Sequence, residues 1–413
     1  MERVILHSDL DNFYASVECS LNPSLKGHPV AVCGNPEMRH GIVLAKNYEA
    51  KAYGVQTGEA LWEAREKCPN IIFVPPHYDV YMEYSKEARS IYAEYTDQVE
   101  SFGLDECWLD VTASRLLFGD GKTIADDIRE KIKKRLGVSV SVGVSFNKIF
   151  AKLASDMRKP DKTTVIGADD FKEKVWPLPV SDLLYIGRAT TARLNLYGIK
   201  TIGQLAMADD RLIHSLLGKN GIQLLSFARG EDTAPVKNIA AKTLVKSVSC
   251  GNTAPRDLVS DEDVKILIIA LATNVSRRLR DYGFDCRCVQ LQIRESDLTS
   301  FERQIRLPYP CRTSEEIYKA AYSLYLKNAR GLRIRSVSVH ACDLVYNETE
   351  QMSFSPDIEK IQRREKLENA FDSLNERYGA GTVCRGILMT DPEIAYIGLK
   401  STPGILPGRM FGS

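Results

Sequence analysis

Three carboxylates carry the chemistry this chain can do. Asp9 closes a first apolar run, Val4-Ile5-Leu6-His7-Ser8-Asp9, and Asp105 and Glu106 open a second, Asp105-Glu106-Cys107-Trp108-Leu109. Both runs are β-prone, and a charge in such a run is costly unless it is paired or bound to metal. Adjacent residues on a regular strand point to opposite faces, so Asp105 and Glu106 converge only at a bend, which Gly103 would ease. Together the three acids form a hard-oxygen set suited to Mg²⁺, the donor set of two-metal phosphoryl transfer. Taken singly, each acid would serve as well as a turn cap. Asp11 and Asp110 are assigned that role, as caps or hydrogen-bond anchors.

The acids must be positioned by elements that the apolar pattern outlines. Residues 1–10 read as a strand, and Gly41 to Ala45 as a strand turning into a helix through Tyr48. A helix near Asp79 to Glu94 follows the Pro75-Pro76 punctuation. Ile124, Ile128, Ile132 and Leu136 recur at helical spacing, Val138 to Val144 alternates as a strand, and a helix runs from about Asn147 to Asp156. Strands interleaved with helices packed on one side predict an α+β layer. Residues 170–233 read as helical, with Ile186-Gly187 and Tyr197-Gly198-Ile199 bracketing a short helix, Ala189–Leu196. A helix-hairpin-helix has this form and presents backbone N–H groups to phosphates, although Tyr185 stands where such modules often carry glycine.

Ala234 to Lys242 reads as a linker. Beyond it the order is strand (Thr243–Cys250), helix (Asp261–Tyr282), strand (Cys286–Arg294), strand (Phe301–Leu307), helix (Thr313–Lys327) and strand (Arg333–Asp343). This βαββαβ order predicts a small sheet with both helices on one face. The other face would be free to carry Lys246, Arg287, Arg294, Arg303, Arg306, Arg333 and Arg335 along a phosphate backbone.

The chain has 413 residues and a net charge of +1, ordinary for a soluble protein of several domains. Its charge is uneven: Lys237 to Val345 holds 18 Lys and Arg against 12 Asp and Glu. A basic module beside an acidic site suits a protein that holds a polyanion while metal chemistry is done on it. No apolar stretch is long enough to span a bilayer and no signal core opens the chain, so a cytoplasmic protein is expected. The ten cysteines are scattered without a C-x-x-C and are read as reduced thiols.

With these blocks in view, the chain resembles the Y-family translesion DNA polymerases, in particular the bacterial polymerase IV and error-prone SOS polymerase group. The likeness rests on Asp9-Leu10-Asp11-Asn12-Phe13-Tyr14-Ala15-Ser16-Val17-Glu18, Asn22-Pro23-Ser24-Leu25-Lys26-Gly27-His28-Pro29-Val30 and Asn47-Tyr48-Glu49-Ala50-Lys51-Ala52-Tyr53-Gly54-Val55. It continues through Leu104-Asp105-Glu106 and Val142-Gly143-Val144-Ser145-Phe146-Asn147-Lys148 to Lys152 and Lys159-Pro160.

The resemblance implies an α+β right hand. Its palm, ferredoxin-like, would span 1–10 and 77–166, the fingers 11–76 and a helix-hairpin-helix thumb 167–233. The linker 234–242, a βαββαβ little finger at 243–346 and a C-terminal extension at 347–413 would follow. It implies two Mg²⁺ ions held by Asp9, Asp105, Glu106 and the Leu10 carbonyl. Tyr14 would be the steric gate against ribose. Phe13, Tyr14, Tyr48, Lys51 and Lys159 would contact the incoming dNTP, and Gly187, Lys246, Arg287, Arg294, Arg333 and Arg335 the primer-template DNA. Two positions depart from the family pattern. Lys51 stands where arginine is usual, losing a bidentate fork, and Gly103 stands where serine is frequent. Gln351, Met352 and Phe354 match a sliding-clamp-binding peptide, a stretch that would also serve as a plain linker. The expected protein is a monomeric, nucleoid-associated polymerase of low fidelity. A nucleotidyl cyclase would need neither basic module nor helix-hairpin-helix, and a non-enzymatic scaffold would need neither Tyr14 nor Lys159.

Overall fold

The first apolar run forms β1 (Ile5–Leu10), buried along its whole length. Alternation sends Ile5, His7 and Asp9 to one face and Leu6, Ser8 and Leu10 to the other. The structure, a computed structural model, describes residues 3–35, 41–241, 244–329, 333–346 and 357–399. It divides into two units, one running to Lys242 and the other beginning at Thr243.

In the first unit, β1 is followed by α1 (Phe13–Leu21), β2 (Val30–Cys33), β3 (Val43–Lys46), α2 (Tyr48–Ala52), α3 (Leu61–Lys67) and β4 (Ile72–Val74). Then come α4 (Tyr78–Ala93), β5 (Val99–Ser101), β6 (Glu106–Asp110), α5 (Arg115–Phe118), α6 (Gly121–Leu136), β7 (Val140–Ser145), α7 (Lys148–Met157) and β8 (Thr163–Ile166). β1 is the middle strand of a sheet ordered β5-β6-β1-β7-β8, and β3-β2-β4 form a separate small sheet. The alternation pattern does not announce β2, β4 or β8. Each has only three or four residues, too short for a period of two to register.

The large sheet is covered on both faces, which corrects the one-sided layer. Ser8 donates to the Tyr92 hydroxyl of α4 at 2.8 Å, while His7 Nδ1 lies 3.0 Å from Ser155 Oγ of α7. The helices α4 and α6 therefore lie on the Leu6 face and α7 on the Asp9 face. α6 starts where Asp120 accepts the Thr123 N–H and buries Ile124, Ile128 and Ile132 completely. Asn147 caps α7 by accepting the Phe150 N–H at 2.8 Å. α7 approaches β7 closely because position 143 has no side chain: a Cβ there would lie 2.0 Å from the Ala151 carbonyl oxygen.

Four further helices, α8 (Phe171–Val175), α9 (Arg188–Leu196), α10 (Ile202–Ala206) and α11 (Asp210–Ala228), surround a core that includes Leu183, Leu194, Ile202 and Leu225. Tyr185 adopts φ 71°, the left-handed region that glycine favours, which explains the glycine of such modules at this turn. The linker lies along the sheet edge, where Glu100 accepts the Lys237 N–H at 3.0 Å and Asp97 O the Ile239 N–H at 2.8 Å.

The second unit contains β9 (Ser247–Leu258), α12 (Asp261–Tyr282), β10 (Phe284–Glu295), β11 (Ser300–Cys311), α13 (Ser314–Asn328) and β12 (Ile334–Tyr346). All pairings in the sheet β11-β10-β12-β9 are antiparallel. β12 is thus inserted between the parallel β9 and β10, and β10 between β11 and β12, giving two interlocked split units. β9 extends eight residues past the expected end at Cys250, to Leu258.

The C-terminal helices α14 (Asp357–Tyr378) and α15 (Pro392–Leu399) are not peripheral to this unit. Leu388, Ile394 and Ala395 belong to its core. Glu368 of α14 is buried, 2.5 Å from Arg280 of α12, and accepts the Ser314 N–H at 3.0 Å. The extension therefore caps the helical face of the sheet. All ten cysteines are free thiols. Among the described residues no helix is long and apolar enough to cross a membrane.

Candidate active site

Strand pairing builds the acidic cluster. β1 and β6 run antiparallel with Asp9 opposite Glu106. Asp105 sits in the turn just before β6, and its carbonyl accepts the Leu10 N–H at 3.0 Å. That bond draws the turn toward β1, so one ligand oxygen from each of Asp9, Asp105 and Glu106 lies within 4.8 Å of the others. The bend needs no glycine conformation, because Gly103 has no left-handed φ. A Cβ at Gly103 would instead lie 3.2 Å from Asp105 Oδ1.

Helix α7 and the segment after it set two lysines against the acids. Lys152 Nζ lies 2.9 Å from Asp9 Oδ2, 3.0 Å from Glu106 Oε1 and 3.1 Å from Asp156. Lys159 Nζ lies 2.8 Å from the same Asp9 oxygen and 3.0 Å from Asp156. Burial alone would lower both lysines, but Asp9 and Asp156 outweigh it and hold them above their ordinary range. Burial, then the negative charge of Asp9 and Glu106, pushes Asp105 from 3.8 to about 6. An all-oxygen cluster so crowded with like charge fits a hard divalent cation, and the two ammonium groups fill only part of that demand.

Behind the cluster His7 is fully buried, and burial first, then the Lys152 charge, lowers it to about 3. It is neutral. Asp11, by contrast, is spent on structure: its carboxylate accepts from the hydroxyls of Ser139 and Ser141 at 2.8 Å and from the Asp161 N–H at 2.9 Å. Asp110 accepts the Thr112 N–H at 3.0 Å.

The acids open into a cavity of about 360 Å³ that is also lined by Leu10, Phe13, Tyr14, Lys46, Thr57, Lys152 and Lys159. Tyr14 is a partly buried wall whose ring stacks on Tyr81 at 4.3 Å between centroids and 11° between planes. The Tyr81 hydroxyl is itself tied to Glu18 of α1, which fixes the stack. Burial, then Asp105, raises Tyr14 to about 12, so its hydroxyl stays protonated. Phe13 is buried, 6.1 Å from Tyr81, and serves the core as well as the cavity edge.

The small sheet supplies a further lysine. Lys46, at the end of β3, lines the cavity and donates to Thr57 Oγ1 at 3.0 Å. Burial and the neighbouring Lys51 lower its pKa. Tyr48 and Lys51 are not among the cavity's lining residues; Lys51 lies over the Tyr48 ring at 5.5 Å. Burial first, then the negative charge of Asp11, holds the Tyr48 hydroxyl above its ordinary range. Sequence reasoning missed His7, Lys46 and Asp156. Period two would have placed His7 beside Asp9, and helical spacing Asp156 beside Lys152.

Gly187 is the extended N-cap of α9, leaving the first N–H groups of that helix open. The open face of the second unit's sheet is not a basic stripe. By register it carries Ser249, Ser336, Ser338, Gln290, Gln292 and Gln304, with Arg294 and Arg306. Arg287 and Arg335 lie at β-bulges, which shift side chains out of the alternation. Lys246 and Arg333 are exposed just outside β9 and β12. Arg303 falls on the helical side, where it donates to Asn328 of α13 at 3.3 Å. Gln351, Met352 and Phe354 lie outside the described residues.

Comparison with known proteins agrees with this geometry. Residues 8–156 match the impB/mucB/samB family, residues 168–199 the HHH motif of the IMS family, and residues 245–354 the C-terminal domain of the impB/mucB/samB family. A DNA polymerase IV of Acetivibrio thermocellus is 51% identical over 95% of this chain and 98% of its own length. One from Moorella thermoacetica is 37% identical over 95% and 98%. DNA polymerase IV 1 of Bacillus subtilis is 34% identical over 95% and 94%. The solved structure of a Y-family DNA polymerase chimera, Dbh-Dpo4(243-245)-Dbh, shares the fold with a TM-score of 0.75. It is 24% identical, and the match covers 83% of this chain and 100% of that one. The chain belongs to the impB/mucB/samB family, the Y-family of DNA polymerases.

Proposed function

We propose that this protein is a template-directed DNA polymerase of low fidelity. It extends primers past damaged bases, using dNTPs and two Mg²⁺ ions at Asp9, Asp105, Glu106 and the Leu10 carbonyl. The observation that carries the reading is the convergence of three carboxylates, two lysines and the Tyr14 wall on one cavity. When bound, the divalent ions supply activation of the primer 3′-oxygen and charge neutralisation on the leaving pyrophosphate.

The side chains divide the remaining work. Lys159 and Lys152 hold cationic charge beside the acids, ready for a triphosphate. Tyr14, fixed against Tyr81, crowds the position of a 2′-hydroxyl and so selects deoxyribose. Replacing Tyr14 with alanine should raise ribonucleotide incorporation about a hundredfold, read as the ratio of kcat/KM for rNTP and dNTP. Lys46 takes the phosphate-facing place that the resemblance gives to Lys51. Lys46→Ala should therefore raise the dNTP KM by about tenfold or more, and Lys51→Ala by less than about threefold. Equal effects would return the contact to Lys51.

Palm (1–10 and 77–166), fingers (11–76), thumb (167–233) and little finger (243–346) are proposed roles for these segments. The open N-terminus of α9 at Gly187 would grip a DNA phosphate. Lys246, Arg287, Arg294, Arg333 and Arg335 would steer the duplex by charge, with Ser and Gln side chains between them. Work in the SOS response on the nucleoid, as a monomer recruited by a sliding clamp through Gln351, Met352 and Phe354, belongs to the same reading. The test is primer extension on templates with and without an abasic site. Extension past the site is expected; a stop one nucleotide before it would remove the translesion claim.

A further inference from the structure

Two buried polar atoms face each other behind the acidic cluster. His7 Nε2 and Glu106 Oε2 are 3.5 Å apart, and among the described residues neither has a hydrogen-bond partner. Leaving both unsatisfied is unfavourable, because each has been taken out of water without a replacement partner. The other ring nitrogen, Nδ1, lies 3.0 Å from Ser155 Oγ, and that hydroxyl is also 2.7 Å from the Lys152 carbonyl. Ser155 has one proton to give, so the position of that proton sets the histidine tautomer.

If Ser155 donates to Lys152 O, His7 must carry its proton on Nδ1. Two buried lone pairs, Nε2 and Glu106 Oε2, then face each other without a donor. If Ser155 donates to Nδ1, the imidazole proton sits on Nε2 and points at Glu106. Both orphans are then satisfied. The Lys152 carbonyl loses little, because it lies inside α7 and keeps its place in the helical ladder. The ring is held from the side by Trp108, edge-on at 5.2 Å, whose own Nε1–H donates to Lys148 O at 2.9 Å.

We propose that His7 is a positioning residue: its Nε2–H donates to Glu106 Oε2 and fixes that carboxylate so that Oε1 remains available beside Lys152 and the cavity. The chain of contacts runs from Ser155 through His7 to Glu106. It is the outer support that a metal-holding carboxylate requires, and loss of such a support commonly weakens metal affinity or activity about 10- to 100-fold. The role rests on Glu106 being a metal-holding acid.

The test begins without metal or substrate. Full-length protein labelled with ¹⁵N-histidine and held in EDTA is examined by two-bond ¹H–¹⁵N correlation, with His7→Gln assigning the His7 signals. A protonated Nε2 and a bare Nδ1 are expected; a protonated Nδ1 would overturn the proposal. Primer extension over a Mg²⁺ series then compares His7→Phe, which keeps the ring and removes the donor, with His7→Gln, which restores a donor. His7→Phe should raise the Mg²⁺ concentration for half-maximal rate about tenfold, more than it lowers kcat, and His7→Gln should recover most of that loss. A wild-type Mg²⁺ requirement in His7→Phe would overturn the proposal, and the tautomer decides if that variant does not fold. Wild-type protein with the Nε2–H tautomer but no primer extension would sink the polymerase reading and retain the His7–Glu106 pair.

Discussion

Asp105→Asn should lower primer extension by about 10³-fold or more and, in EDTA at pH 7, leave a protein more stable than wild type. The loss of activity follows from removing one of three anionic oxygens that hold the metal charge. The gain in stability follows from electrostatics. Burial, Asp9 and Glu106 raise the Asp105 carboxyl from 3.8 to about 6, so ionising it costs more in the folded protein than in the unfolded chain. A raised folded-state value means stability that is present below about pH 4 and lost as pH rises through 6. The linkage is about 3 kcal/mol, an upper figure because Lys152 can readjust. Thermal melts of both proteins in EDTA should nearly coincide at pH 4 and separate by pH 7. A variant less stable than wild type at both pH values would refute this balance.

Gly143→Ala should be the most damaging small substitution in the first unit. Its Cβ would lie 2.0 Å from Ala151 O, 2.5 Å from Ser155 N and 2.8 Å from Ala154 Cβ. Two of these are helix backbone, which cannot swing aside as a side chain can, so α7 must move away from β7. Overpacking of this kind costs about 3 kcal/mol or more. The displacement matters beyond stability, since α7 carries Lys152, Ser155 and Asp156 to the acids. Val144→Ala is the control: it deletes buried methyl groups on the opposite face, packed with α4 and α6, at about 2 kcal/mol. Melting and primer extension should show activity lost in Gly143→Ala and retained in Val144→Ala below its melting temperature. Equal activity in the two would mean that the approach of α7 does not set the site.

Long, periodic elements are legible in the residue pattern alone. α12 runs from Asp261 to Tyr282, both ends as expected, because Ser260 caps it and Gly283 closes it at φ 69°. The acid triplet is legible too, since Asp9 and Glu106 stand at the ends of two apolar runs that pair in register. What escapes depends on distance rather than order. Lys46 and Lys51 are five residues apart, and only the path of β3 into α2 decides which one reaches the cavity. The free face of the sheet is where the sequence reading puts the basic residues of the second unit, but Arg287 and Arg335 lie at bulges and Arg303 takes the helical side. The strongly polar pattern of α14 gives no sign that the C-terminal helices pack. α14 docks through Glu368 and Asp372 on Arg280, an ion network that periodicity does not reveal, and α15 through Ile394 and Ala395.

The measurement closest to the central claim is single-nucleotide extension of a labelled primer on an undamaged template. It sets wild type beside Asp105→Asn, each with Mg²⁺ and with EDTA. Wild type with Mg²⁺ should add the nucleotide complementary to the template base, and the other three reactions should leave the primer unextended. Extension by Asp105→Asn at the wild-type rate, or none by wild type, would contradict the assignment of the three carboxylates to DNA synthesis.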